Sequence, residues 1–158
     1  MGVIAKQTMK ALEQYDPSEK VEILDWTTRL TFETIGRCGF GYEFGLLGSR
    51  DAPPHPFIDA MGYCLNHAVE RTRQLGFIKH LPLERNRQFD RSVKLMNDIV
   101  DQVIKERKNG PDANDMDKDL LGFMLNARDE HQLGLSDENI RYQVVTFLIA
   151  GHDVSHIY

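Results

Sequence analysis

Only two cysteines, Cys38 and Cys64, occur in 158 residues, and no framework of short loops surrounds them, so a disulfide scaffold is excluded. Each thiol falls inside an apolar helical pattern, which predicts two buried, reduced side chains. Positive charge is short as well. The chain holds 19 Lys and Arg against 24 Asp and Glu, a net charge of -5, so the basic stripe that nucleic acid requires is missing. An anionic membrane surface is disfavoured on the same ground. No run reaches the roughly 18 apolar residues of a membrane span, and no charged segment leads into an apolar one at the N-terminus as a secretory signal would. The expectation is a soluble, cytoplasmic protein. Alternating strand pairs are also lacking, which leaves an all-α chain without internal repeats.

What is present is helical periodicity. Ala5, Met9, Leu12 and Tyr15 share a predicted face that closes at Asp16-Pro17-Ser18, where Pro cannot continue the ladder. A second helix is expected from about Leu24 to Phe40, capped by Asp25 and ended at Gly39-Phe40-Gly41. Its Trp26, Leu30, Phe32, Ile35 and Cys38 point in several directions, which predicts burial on more than one side. Gly45 to Pro56 reads as a loop, and Pro56 opens a third helix with a core face of Ile58, Met61, Leu65, Ala68 and Thr72. Phe89, Val93, Met96, Val100, Val103 and Arg107 define a long fourth helix with Gly110-Pro111 beyond it. An acidic loop over Asp112 to Asp119, a short helix over Leu120 to Ala127 and a polar turn over Asp129 to Leu135 follow.

Several constellations dissolve on inspection. Asp115, Asp117 and Asp119 begin like a calcium loop, but Leu120 stands where Gly is needed and Asn126 where a bidentate Glu should close the ring. Gly36, Gly39, Gly41 and Gly45 close a helix instead of joining a strand to a helix N-terminus, so they are turn residues and no phosphate cradle. His152 and His156 share a helix face, yet no third zinc ligand follows at recognisable spacing. Arg71, Arg73, Lys79, Arg85, Arg87 and Arg91 form a basic cluster that could dock an acidic partner, or could be a solvated surface paired with Glu70, Glu84 and Asp90.

The segment from Glu138 to Ser155 is different. Ser136 supplies an N-cap and Asp137 and Glu138 favour the positive end of the dipole. An apolar helix follows that carries Ala150-Gly151-His152-Asp153 in its interior, where Gly and a carboxylate are both costly. Such a break in the local rules fits either a ligand site or a place where another helix crosses closely. No Gly cap, basic last turn or Pro follows Ser155, so the element is expected to be cut in its middle.

The run Asp137-Glu-Asn-Ile-Arg-Tyr-Gln-Val-Val-Thr-Phe-Leu-Ile-Ala-Gly-His-Asp153 resembles the long central helix of cytochrome P450 monooxygenases. It is most similar to self-sufficient members in which a haem domain is fused to a flavin-containing NADPH reductase and which hydroxylate fatty acids. Thr28-Arg-Leu-Thr-Phe-Glu-Thr-Ile-Gly-Arg-Cys-Gly-Phe40 with His55-Pro-Phe-Ile58, and Asn86-Arg-Gln-Phe89 with Met96-Asn-Asp98, agree in order. The resemblance implies a partial cytochrome P450 fold, with residues 1–158 forming a single partial domain from the middle of a haem domain. It implies haem as cofactor, with Ala150 and Gly151 on its distal face and Asp153 and Ser155 in proton delivery. Val154 stands where the family usually has threonine.

Neither Cys38 nor Cys64 lies in the Phe- and Gly-rich loop that holds the iron in this family, so the axial thiolate is expected outside the chain. FAD, FMN and NADPH would belong to the absent reductase, which the basic cluster could contact. The expected activity is that of a fragment of a fatty-acid-type monooxygenase, inactive alone. The alternatives are a helical interaction module without enzymatic activity, or a truncated product without function.

Overall fold

The structure, a computed structural model, describes residues 2–50, 53, 55–73, 81–110, 119–128, 131 and 133–156. Among them run six helices: α1 (Gly2–Leu12), α2 (Ile23–Phe40), α3 (Pro56–Arg73), α4 (Glu84–Asn109), α5 (Leu120–Asn126) and α6 (Asp137–His156). The β pairing recorded among the described residues is a single bridge between Arg128 and Gly134. α3 packs along α4, and α6 lies against α2, α4 and α5.

α2 joins two separate cores. Its Phe32 and Phe40 enter the main cluster with Phe57, Met61, Val100 and Leu148. Its Trp26 enters a smaller one with Ile4, Ala11 and Leu47, where the indole N–H donates to the Tyr15 hydroxyl at 3.1 Å. Burial on several sides is therefore real for this helix, with one exception. Cys38 is exposed and only Cys64 is buried, both as free thiols; the apolar pattern around Cys38 belongs to the flank of α2 that no described element covers.

Two predicted faces are rotated by one residue. On α1, Ala5 and Met9 are exposed while Ile4 and Ala11 are buried. On α3, Phe57, Ala60, Met61 and Cys64 point inward, Ile58 and Leu65 are half-buried, and Thr72 is exposed. In both cases adjacent apolar residues offered two overlapping stripes, and packing against the neighbouring elements selected between them. α4 matches expectation, with Met96, Val100, Val103 and Arg107 buried and Phe89 and Val93 packed at the margin. Asp25 does not cap α2. Glu22 is the N-cap, without a side-chain bond, and Asp25 instead pairs with Arg29 at 2.8 Å. The acidic loop up to Lys118 lies outside the described residues, but its last member, Asp119, caps α5 by accepting from the Gly122 N–H at 2.8 Å.

The connection leaving α2 is pinned to the helix it leaves. Gly41 takes φ 62°, a left-handed conformation that glycine adopts without strain, and the Tyr42 N–H returns to the Gly36 carbonyl at 2.9 Å. At Gly36 a Cβ would stand 2.6 Å from the Phe44 ring, so only glycine lets the loop lie this close. Beneath it sits Glu33, fully buried. One carboxylate oxygen accepts from Arg37 Nε at 2.5 Å and the other from the Leu46 backbone N–H at 3.0 Å. Removing one partner of a buried charged pair strands the other, at a cost of about 3 kcal/mol. Glu33→Ala is therefore expected to lower stability by about 3 kcal/mol, read as a drop in the thermal or urea midpoint; an unchanged midpoint refutes the pinning role.

His55 closes the same loop. Its ring packs edge-on against Phe44, and its Nδ1 accepts from the Phe57 N–H at 3.2 Å, which requires that nitrogen to be unprotonated. Burial holds the imidazole pKa below its ordinary value, against a weaker upward pull from Glu33 and Asp59. The unfolded chain therefore takes up the proton first, and stability falls as pH drops through the imidazole range. His55→Gln is expected to flatten this dependence in thermal midpoints recorded from about pH 7 to about pH 5.

Candidate functional site: the open face of the last helix

α6 begins as the sequence predicts, with the Asn139 N–H donating to Ser136 Oγ at 3.2 Å. Two ion pairs tie its first half to α4, Arg141 to Asp101 at 2.8 Å and Lys108 to Asp137 at 2.5 Å. Ile140, Val144 and Leu148 recur every four residues and are buried in the main core. The other side is bare. Tyr142, Thr146, Phe147 and Ala150 are exposed, with Phe147 37% accessible one turn before Ala150. The Thr146 hydroxyl is turned back onto the Tyr142 carbonyl at 2.7 Å, and the Tyr142 hydroxyl donates to Glu138 at 2.9 Å. These two hydroxyls are thus satisfied within the helix; Gln143, one turn before Phe147, is the exposed polar side chain at the start of the face, and Phe147 and Ala150 present carbon.

Gly151 sits at the edge of this face, half-buried. A Cβ built there would stand 2.7 Å from Ile35 Cδ1 of α2. The close helix crossing that the sequence allowed has its partner, and it is compatible with a ligand on the neighbouring, open face at Ala150. The backbone of Asp153 and Ser155 continues the helix; the side chains from His152 onward lie outside the described residues. So do the His152 and His156 side chains, and no group of three possible metal ligands occurs among the described residues.

A haem requires a flat apolar wall on one side and, for thiolate ligation, a cysteine on the other. The open face of α6 meets the first demand, since a methyl group is all that projects at Ala150. The cysteines do not meet the second. Cys64 is inside α3 and burial pushes its thiol pKa up, away from the thiolate a metal ligand needs, whereas Cys38 lies on the opposite helix in an apolar groove with Leu30, Thr34 and Ile35. The residues fit the distal side of the cofactor alone.

The basic cluster resolves into local pairs: Arg71 with Asp90 at 3.3 Å, Arg85 with Glu70 at 3.2 Å and Arg91 with Glu84 at 3.1 Å. These are the carboxylates that the sequence nominated, and Arg71 also lies over the Phe89 ring. Lys79 lies outside the described residues. Sequence reasoning missed Glu33, Ile35 and His55. For Glu33 a signal existed, an acid within an apolar stretch with Arg37 four residues on.

The described residues thus form an all-helical unit in which α6 leaves one apolar face open. The cytochrome P450 family model matches residues 2–156, and the chain belongs to that family, whose members are haem proteins. A bifunctional cytochrome P450/NADPH–P450 reductase 2 of Bacillus subtilis (strain 168) is 42% identical over 153 residues. A bifunctional cytochrome P450/NADPH–P450 reductase of Aspergillus oryzae is 33% identical over 156 residues, and a self-sufficient cytochrome P450 monooxygenase of Phanerodontia chrysosporium is 32% identical over 151. These matches take in 96%, 98% and 95% of this chain and 14% of each relative, so the chain spans about one-seventh of their length. No helix among the described residues is long and apolar enough to cross a membrane.

The two thiols give a direct check on the geometry. Cys38 is expected to react with a water-soluble disulfide reagent within the mixing time of a native sample, and Cys64 only after denaturant is added. Two thiols titrating together in the native state would contradict the packing of α3.

Proposed function

We propose that this chain supplies the distal wall of a haem-thiolate monooxygenase of the self-sufficient, fatty-acid-hydroxylating type, and that residues 1–158 form a single partial domain of it. The observation that carries the reading is the division of α6 into a core face and a bare apolar face, with Gly151 seated on α2 at their border. Haem bound through a thiolate would supply dioxygen activation. The chain's own residues would shape the space beside it. Ala150 and Gly151 leave room for a small ligand and an apolar substrate, and Phe147 repels water from that space. Asp153 would hold and release a proton at its carboxyl oxygen, the general acid-base role that a dry pocket needs filled. Ser155 offers a hydroxyl about 100° round the helix from Val154, which has none.

By this reading the thiolate comes from outside these residues, FAD, FMN and NADPH serve a reductase part, and the setting is cytoplasmic. The arginine cluster on α3 and α4 is the candidate reductase contact. The Arg85–Glu70 and Arg91–Glu84 pairs are exposed and worth no more than about 1 kcal/mol, so a docking acid could exchange with them.

Titration of the purified chain with haem is expected to give no thiolate-type carbon monoxide band and no NADPH-driven hydroxylation. Both signals together would overturn the assignment of the thiolate to another segment. Failure of the chain to perturb the haem spectrum under any condition would count against the distal wall itself.

A further inference from the structure

Ile35 is not among the residues that the sequence marks for the site. It stands one turn beyond Phe32, which is fully buried, and next to Gly36, against which the Phe44 loop is packed. Glu33 and Arg37 tie the same turn of helix to the loop through Leu46. Ile35 therefore stands on one of the best-anchored stretches of the chain. Its Cδ1 is 2.7 Å, and its Cβ 3.9 Å, from where a Cβ of residue 151 would be. The branched side chain is stiff at χ1 in a helix, so only its terminal methyl can yield.

We propose that Ile35 is the positioning residue that sets how far the Ala150–Asp153 turn of α6 stands from α2, and thereby the clearance between that turn and the haem. Gly151 is its counterpart, and the pair acts as a spacer. The proposal rests on the distal-wall reading above. With no side chain at 151, α6 settles onto the Ile35 methyl. A methyl added there must either displace the Ile35 terminal methyl or lift α6 off α2; the second movement carries Ala150 with it, because the first half of the helix is held to α4 by Arg141 and Asp101. Ile35 belongs to α2 and acts through the helix that rests on it.

The test is a double-mutant cycle on the haem-loaded protein with Gly151→Ala, Ile35→Val and both together, Ile35→Val removing only the clashing methyl. The readouts are the haem absorption spectrum and the affinity for imidazole, a ligand that occupies the distal side of the iron. Gly151→Ala is expected to shift the spin-state balance and weaken imidazole binding about tenfold, equivalent to about 1.4 kcal/mol. The double variant is expected to recover both signals to within a factor of about two. A merely structural contact would lower thermal stability without moving the spectrum of the folded fraction. If Gly151→Ala does not fold, a folded double variant with the parent spectrum supports the same coupling, whereas a double variant that also fails to fold overturns it. Bound haem with an unchanged spectrum in Gly151→Ala, or additive losses in the double variant, overturns the spacer alone. A parent protein that takes up no haem overturns the distal-wall reading, and the spacer with it.

Discussion

A carboxylate sealed from water must be met by donors on every side, and the fold around α2 follows from satisfying that demand at Glu33. Arg37 meets one oxygen from the next turn of the same helix, and the Leu46 N–H meets the other from the loop that follows. That second bond requires the chain to double back at Gly41 and to pass so close to Gly36 that no side chain fits there. The returning loop then delivers Phe44 and Leu46 to the main core and Leu47 to the smaller one. One buried charge thus couples two hydrophobic clusters that would otherwise be joined only by the helix between them.

On that platform α6 is held at two points by different means. Ion pairs fix its first half to α4 and carbon-on-carbon contact fixes its second half to α2. Between these supports the helix needs nothing on its remaining side, which stays apolar without being packed. A helix with such a face is normally a liability; on the proposed reading it is the wall of a cofactor site. One of the costs that the sequence showed, a glycine inside an apolar helix, falls at the border between the packed and the open face.

Much of this was legible beforehand, for reasons that differ between elements. α4 declared itself because its apolar stripe is narrow and its ends carry basic residues and Gly110, and Ser136 was readable as a cap because its chemistry is local. α1 and α3 were found as helices but turned by a residue, because Ile4 beside Ala5 and Phe57 beside Ile58 give two stripes that only a partner can choose between. Cys38 was misread as buried because an apolar pattern does not say which flank of a helix is covered. Within the site, the composition of Ala150-Gly151 was visible but its partner was not. Ile35 lies more than a hundred residues away and carries no mark of its role, just as the Leu46 amide, a backbone group, left no trace of its bond to Glu33.

The separation between Ile35 and Gly151 has a consequence for biosynthesis. A ribosome adding about 5–20 residues per second releases α2 several seconds before α6 exists to lie on it. Through that interval Ile35 lacks the helix that later rests on it, whereas Cys38 on the same flank stays open to solvent even after α6 has docked.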